Sequence, residues 1–169
     1  MGMKEDMDRL ALQECELVLP RLDAETAWQL GTRLRTMALE RGLAIVIDVR
    51  RFGGQPLFYV ALDGTTPDNP EWVRRKSNVV ERFHRSSYAV RLKLLAKDEM
   101  LESKQGLPTI DFAEHGGSFP LRVAGAGCVG SATVSGLDGR DDHGMVVEAL
   151  CAMLGKNHDD LRLSAEKFE

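Results

Sequence analysis

Two hairpins with helical sequence between them restrict the architectures open to this chain. Residues 43–49 form a β-branched, almost continuously apolar run interrupted only by Asp48, and such a run reads as a strand covered on both faces. Gly53-Gly54 supplies a turn, and residues 55–62 return as a second strand. Residues 121–124 and 128–134 repeat the pattern around a pivot at Gly125 to Gly127. Strands joined by tight turns must be antiparallel, because a parallel pair needs a crossover of a dozen or more residues. Hairpins separated by helices therefore predict an α+β domain with an antiparallel sheet, not a doubly wound parallel one.

The helices between and around the hairpins carry their own signals. Asp23 caps a helix whose apolar residues Ala27, Leu30, Leu34, Met37 and Ala38 recur every three or four positions, and Gly42 ends it. Asn69-Pro70-Glu71 starts a second helix that runs to about Arg85, and Ser86-Ser87 caps a third. The last helix begins near Asp141-Asp142 and stops at Gly155. A short strand is expected over residues 16–19, closed by Pro20. Residues 1–13 read as a flexible, polar N-terminus, 14–155 as one domain and 156–169 as a polar tail. Residues 104–119, with Gly106, Pro108, Gly116 and Gly117, form a long connection of the kind that often carries function.

Charge divides the chain unevenly. The 169 residues have a net charge of −4, yet residues 74–93 hold seven Lys or Arg against one acid, Glu81. On the helix there, Arg75, Asn78, Arg82 and Arg85 make one stripe, while Trp72, Val79, Val80 and Phe83 make another. Guanidinium groups in a row suit a carboxylate or phosphate ligand. The stripe could equally be a solvated face, or one that meets a second subunit. Nucleic acid is not expected, because the overall charge is negative and no nucleic-acid motif is present. Three scattered cysteines, Cys15, Cys128 and Cys151, fit neither a disulfide framework nor a zinc site and read as small buried hydrophobes. They point to a reducing compartment, hence the cytoplasm. No apolar run is long enough to span a membrane.

Few residues carry evident chemistry. Gly125-Ala126-Gly127-Cys128-Val129-Gly130 spells GxGxxG, but a dinucleotide fingerprint must open a helix and this one continues as strand-like sequence. His115 stands in the long connection beside Glu114 and just before Gly116-Gly117, where an imidazole could ligate a metal or haem iron or move a proton. The alternative is an ordinary surface loop histidine. His143, in the first turn of the last helix, receives no role. Asp48 in an apolar strand needs a partner, and Arg50 lies two residues on, on the same face.

Longer stretches carry a likeness. His115-Gly116-Gly117-Ser118-Phe119-Pro120-Leu121-Arg122-Val123, with Gly127-Cys128-Val129-Gly130-Ser131-Ala132-Thr133-Val134-Ser135-Gly136, resembles the signature of GlcG/HbpS-like proteins, the haem-degrading domain family. Arg50-Arg51-Phe52-Gly53, Thr66-Pro67-Asp68-Asn69 before Trp72, Arg75-Lys76 and Arg82-Phe83 before Ser86-Ser87-Tyr88 are similar to one branch of it. The resemblance implies a profilin-like fold with about five antiparallel strands flanked by helices, and a homo-oligomer. It also implies an anionic, partly apolar ligand such as haem. Candidate contacts are His115 as the metal ligand, Arg51, Arg75 and Arg82 for carboxylates, and Gly116 and Gly117 beside them. The family name suggests haem degradation, as by an oxygenase, but the sequence shows no catalytic constellation. A non-catalytic oligomeric protein with the cationic helix at a subunit contact is the alternative.

Overall fold

The computed structural model describes residues 2–165. In chain order the elements are α1 (Gly2–Glu16), β1 (Val18–Leu19), α2 (Ala24–Glu40), β2 (Val46–Arg51), β3 (Gln55–Ala61), α3 (Asp68–Phe83), α4 (Ser87–Leu95), α5 (Leu101–Gln105), β4 (Ser118–Val123), β5 (Gly127–Ser135), α6 (Gly139–Leu154) and α7 (His158–Leu161). The strands form one sheet in the order β1-β4-β5-β2-β3. Both expected hairpins are present, and β2 also pairs antiparallel with β5, so four of the five strands are antiparallel.

The fifth strand departs from the antiparallel pattern. β1 runs parallel to β4, pairing Val18 with Arg122 and Leu19 with Val123. No turn connects these two strands, so nothing obliges them to run in opposite directions. The sheet is mixed, and helices flank it as expected.

Register sorts the side chains onto two unlike faces. Ile47, Val49, Phe119, Leu121, Ala132 and Val134 point one way and form the main core with α2 and α6. Gly31 shows how tightly α2 is seated: a Cβ there would lie 2.2 Å from the Phe58 ring. Glycine inside a helix costs about 1 kcal/mol relative to alanine. Overpacking costs about 1–3 kcal/mol, so glycine is the better residue at this contact. The opposite face is polar, with Asp48, Ser118, Ser131 and Thr133 all buried, and α3 lies across it. Ser118 and Thr133, register partners, share a hydroxyl hydrogen bond of 2.8 Å.

Among the described residues the segments near both ends are more ordered than their composition suggests, and residues 166–169 of the expected tail lie outside the described ones. Residues expected to fray form α1, in which Asp6, Leu10 and Gln13 are fully buried. Leu161 in the expected polar tail is also buried, in α7. Among the described residues no helix is long and apolar enough to cross a membrane.

Candidate functional site

The first turns of α3 and the segment before β4 meet at Trp72. Its indole N–H donates to Asp68 Oδ2 at 3.0 Å, which fixes the ring one turn into the helix. The Arg75 guanidinium lies 4.7 Å from the ring centroid, within cation–π range. The His115 ring stands edge-on to the same indole, with centroids 5.0 Å apart and planes at 70°. Two of the expected ligand contacts, Arg75 and His115, are thus brought together, with Trp72 between them.

The rest of the expected site disperses. Arg75 Nε also donates to Thr109 O at 2.9 Å, and Arg74 reaches Asp111, Ile110 O and Glu71. Asn78 donates to Asp111 O at 2.8 Å. The upper half of the cationic stripe therefore holds down the long connection, which has less freedom than its glycine content suggests. Arg85 pairs with Glu14 of α1. Arg82 is exposed on the last turn. Arg51 lies on the α2 side of the sheet, where Nη2 donates to Leu22 O at 3.0 Å. Strand alternation puts it on the face opposite α3, so it does not share a cleft with Arg75 and His115.

Gly116 and Gly117 are buried against protein. A Cβ on Gly116 would fall 2.1 Å from Gly139 O. At Gly117, whose φ is +132°, it would fall 2.4 Å from Val134 O and 2.7 Å from Lys76 Nζ. The pair is a close-packed junction that sets the position of His115, not a loose hinge.

Beneath that junction lies an ion pair that sequence reading overlooks. Lys76 Nζ sits 2.9 Å from Asp142 Oδ2, and their side chains are 4% and 1% exposed. Lys76 also donates to Val134 O at 3.3 Å, while the Leu137 amide donates to Asp142 Oδ1 at 3.0 Å. Burial pushes the Asp142 carboxyl up from 3.8 to about 6, against the pull of Lys76 and nearby amides. The available signal was positional: Lys76 falls three residues after Val73 and four before Val80, on the buried face of the helix.

A second polar network ties α1 to α6. Arg140 is hydrogen-bonded to Asp6, and donates to the Tyr88 hydroxyl at 3.1 Å. His143 is wholly buried, with Nε2 2.7 Å from Gln13 Oε1. Gln13 uses its own N–H on Leu161 O at 2.6 Å, so its carbonyl accepts from His143 Nε2–H. Burial, with Arg140 adding to it, lowers the imidazole to about 3. Asp48 pairs with Arg50 as expected, at 2.6 and 2.8 Å. The GxGxxG segment is the β4–β5 turn and opens a strand, as its sequence suggests. Cys151 is buried and Cys128 half-buried, but Cys15 is exposed on α1, against expectation. Among the described residues no three His, Cys, Asp or Glu side chains converge to hold a metal ion.

The family model for the haem-degrading protein HbpS-like matches residues 22–151. The chain belongs to the HbpS-like family. Within it, this chain is 59% identical to the UPF0303 protein of Acidobacterium capsulatum, over 96% of this chain and 98% of that one. The fold is similar to the crystal structure of the Ybr137w protein, with a TM-score of 0.82, 27% identity, and coverage of 88% of this chain and 87% of that one. It is also similar to PduOC in its haem complex, with a TM-score of 0.64 and 13% identity over 86% of this chain and 99% of that one, a likeness of fold alone. An HbpS-like domain thus spans both sheet faces, α3 and the Gly116–Gly117 junction, while α1 lies outside the matched segment.

Proposed function

We propose that this HbpS-like protein is a homo-oligomeric binding module for an anionic, partly apolar small molecule, haem or a close analogue, held at Trp72, Arg75 and His115. The single observation that carries the reading is the indole of Trp72 flanked by a guanidinium at 4.7 Å and an imidazole at 5.0 Å. The donor chemistry fits a haem: one imidazole for the iron, a guanidinium for a propionate and an aromatic ring beside the macrocycle. Haem when bound would supply a redox-active iron. The residues here would bind and orient it, with the Gly116–Gly117 junction fixing the backbone that carries His115. The protein's family and the haem complex of a distant structural neighbour support the choice of ligand.

The test is a haemin titration followed in the visible spectrum. A saturable Soret shift is expected, lost in His115→Ala and weakened in Trp72→Ala. No saturable shift, or a specific shift indifferent to His115→Ala, overturns the assignment.

A second reading, an oligomeric interaction protein with the cationic helix at a contact, draws on a different observation. Arg82 is exposed, and β3 is an open sheet edge bearing Tyr59, 49% exposed. Arg82→Glu should then lower the mass in light scattering, and an unchanged mass counts against it.

A further inference from the structure

We propose that the groove between α4 and α5 is a separate binding site for a single-tailed anionic amphiphile, such as a medium-chain carboxylate. Its cavity of about 220 Å³ is floored by Phe83, Ala89, Val90, Leu94 and Leu101. Val90, Leu94 and Leu101 belong to a small hydrophobic cluster of their own, distinct from the main core. The rim carries Arg85, Lys93, Lys97 and Lys104 against one acid, Glu99.

The rim charges are not equivalent. Arg85 is paired with Glu14, and Lys104 with Glu99 at 3.0 Å. Lys93 and Lys97 have no ion pair among the described residues, and both are exposed. They are four residues apart, at the end of α4 and in the turn that follows, so their ammonium groups lie on one side of the helix. An apolar slot beside two unneutralised ammonium groups complements a molecule with an apolar tail and one anionic head.

Size selects the class further. Sites for drug-sized molecules run from roughly 300 to 1,000 Å³, so this groove suits a single chain better than a macrocycle. Its lining runs from the end of α3 through α4 to α5 and includes none of Trp72, Arg75 and His115. The proposal therefore does not rest on the haem reading. Burial of methylene groups predicts that each two carbons added to the tail strengthen binding by roughly tenfold until the slot is full.

The experiment is calorimetric titration of the full chain with octanoate, hexanoate, acetate and 1-octanol. Octanoate should bind saturably, hexanoate roughly tenfold more weakly, and acetate and octanol more weakly still. Lys93→Glu with Lys97→Glu should weaken octanoate by about tenfold or more, through lost attraction and new repulsion, while Lys93→Arg with Lys97→Arg should keep it. These side chains are exposed, so the folded state should survive the exchange. Absence of saturable octanoate binding, octanol binding as well as octanoate, or octanoate binding indifferent to charge reversal would each overturn the proposal. Haemin titration of the charge-reversed protein separates the two sites. An unaltered Soret response supports their independence, and a lost one shows that they are one site and refutes the separate groove.

Discussion

Replacing Lys76 by Met should add to the protein's stability a pH dependence above neutrality that comes from Asp142. The Asp142 carboxyl, 1% exposed, is held ionised at pH 7 by an ammonium group 2.9 Å away. Its value is already raised from 3.8 to about 6, so ionisation in the folded chain costs about 3 kcal/mol relative to the unfolded one. Without the ammonium, burial should carry the carboxyl past 7, and the group should take up a proton on folding. Protonation also limits the damage. Neutralising an ordinary carboxyl at pH 7 costs about 4 kcal/mol, so the charge component of the substitution is capped near 1.4 kcal/mol at that pH. The cap rises by about 1.4 kcal/mol with each further pH unit. The sign follows from the protons bound: the folded variant holds one more than its unfolded chain, so its stability falls as pH rises. In the parent this group makes stability fall as pH rises from about 4 to 6, and above that the loss is constant and adds no slope. Urea unfolding of both proteins at pH 6, 7 and 8 measures the difference. The gap should widen by on the order of 1 kcal/mol between pH 7 and 8, and adding Asp142→Asn should abolish the widening. Groups unaffected by the substitution cancel in the comparison. Parallel profiles, or a variant that gains on its parent from pH 7 to 8, would show that Lys76 is not what keeps Asp142 ionised.

Two further outcomes test the packing around that pair. Gly117→Ala must adopt a φ of +132° with its new methyl 2.4 Å from Val134 O. A loss of about 2 kcal/mol is expected, or roughly 4–8 °C in Tm, and a Tm within a degree of the parent would contradict the close packing. His143, lowered to about 3, should show no imidazole titration between pH 5 and 8 by NMR. Because the folded value is depressed below the ordinary 6.5, its unfolded chain binds the extra proton. Its contribution is present above pH 6.5 and is lost as pH falls towards 3. A resonance midpoint near 6.5 would refute its burial.

Local signals in the sequence predicted local structure well. Asp23 and Ser86 cap their helices with side-chain bonds to Thr26 and Ala89, and Gly155 ends α6 in the left-handed conformation. The turn at Gly125 to Gly127 and the Asp48–Arg50 pair were also legible, because each is set within a few residues. What escaped were partnerships across long stretches of chain. The parallel β1–β4 pairing has no turn to announce it. Lys76 reads as one more cation in a basic helix until Asp142 is placed beneath it. The same limit applies to α1: its mean composition is polar, and the burial of Asp6 and Gln13 depends on Arg140 and His143. Of the candidate site, the meeting of Arg75 with His115 was anticipated, but the removal of Arg51 to the other sheet face was not. Its cause is strand alternation, which places Arg50 with Asp48 and turns Arg51 the opposite way.

The attachment of α1 has a consequence for how the protein is made. Glu14 and Leu10 dock on Arg85, Ser86 and α4, but Gln13 is anchored to His143 and Leu161 and Asp6 to Arg140, so this helix completes its berth only when partners 130 to 148 residues further along have been translated. At roughly 5–20 residues per second the delay is on the order of ten seconds. Throughout that interval α4 can cover Leu10, but Asp6 and Gln13 lack their buried partners, which leaves α1 open to chaperones and proteases.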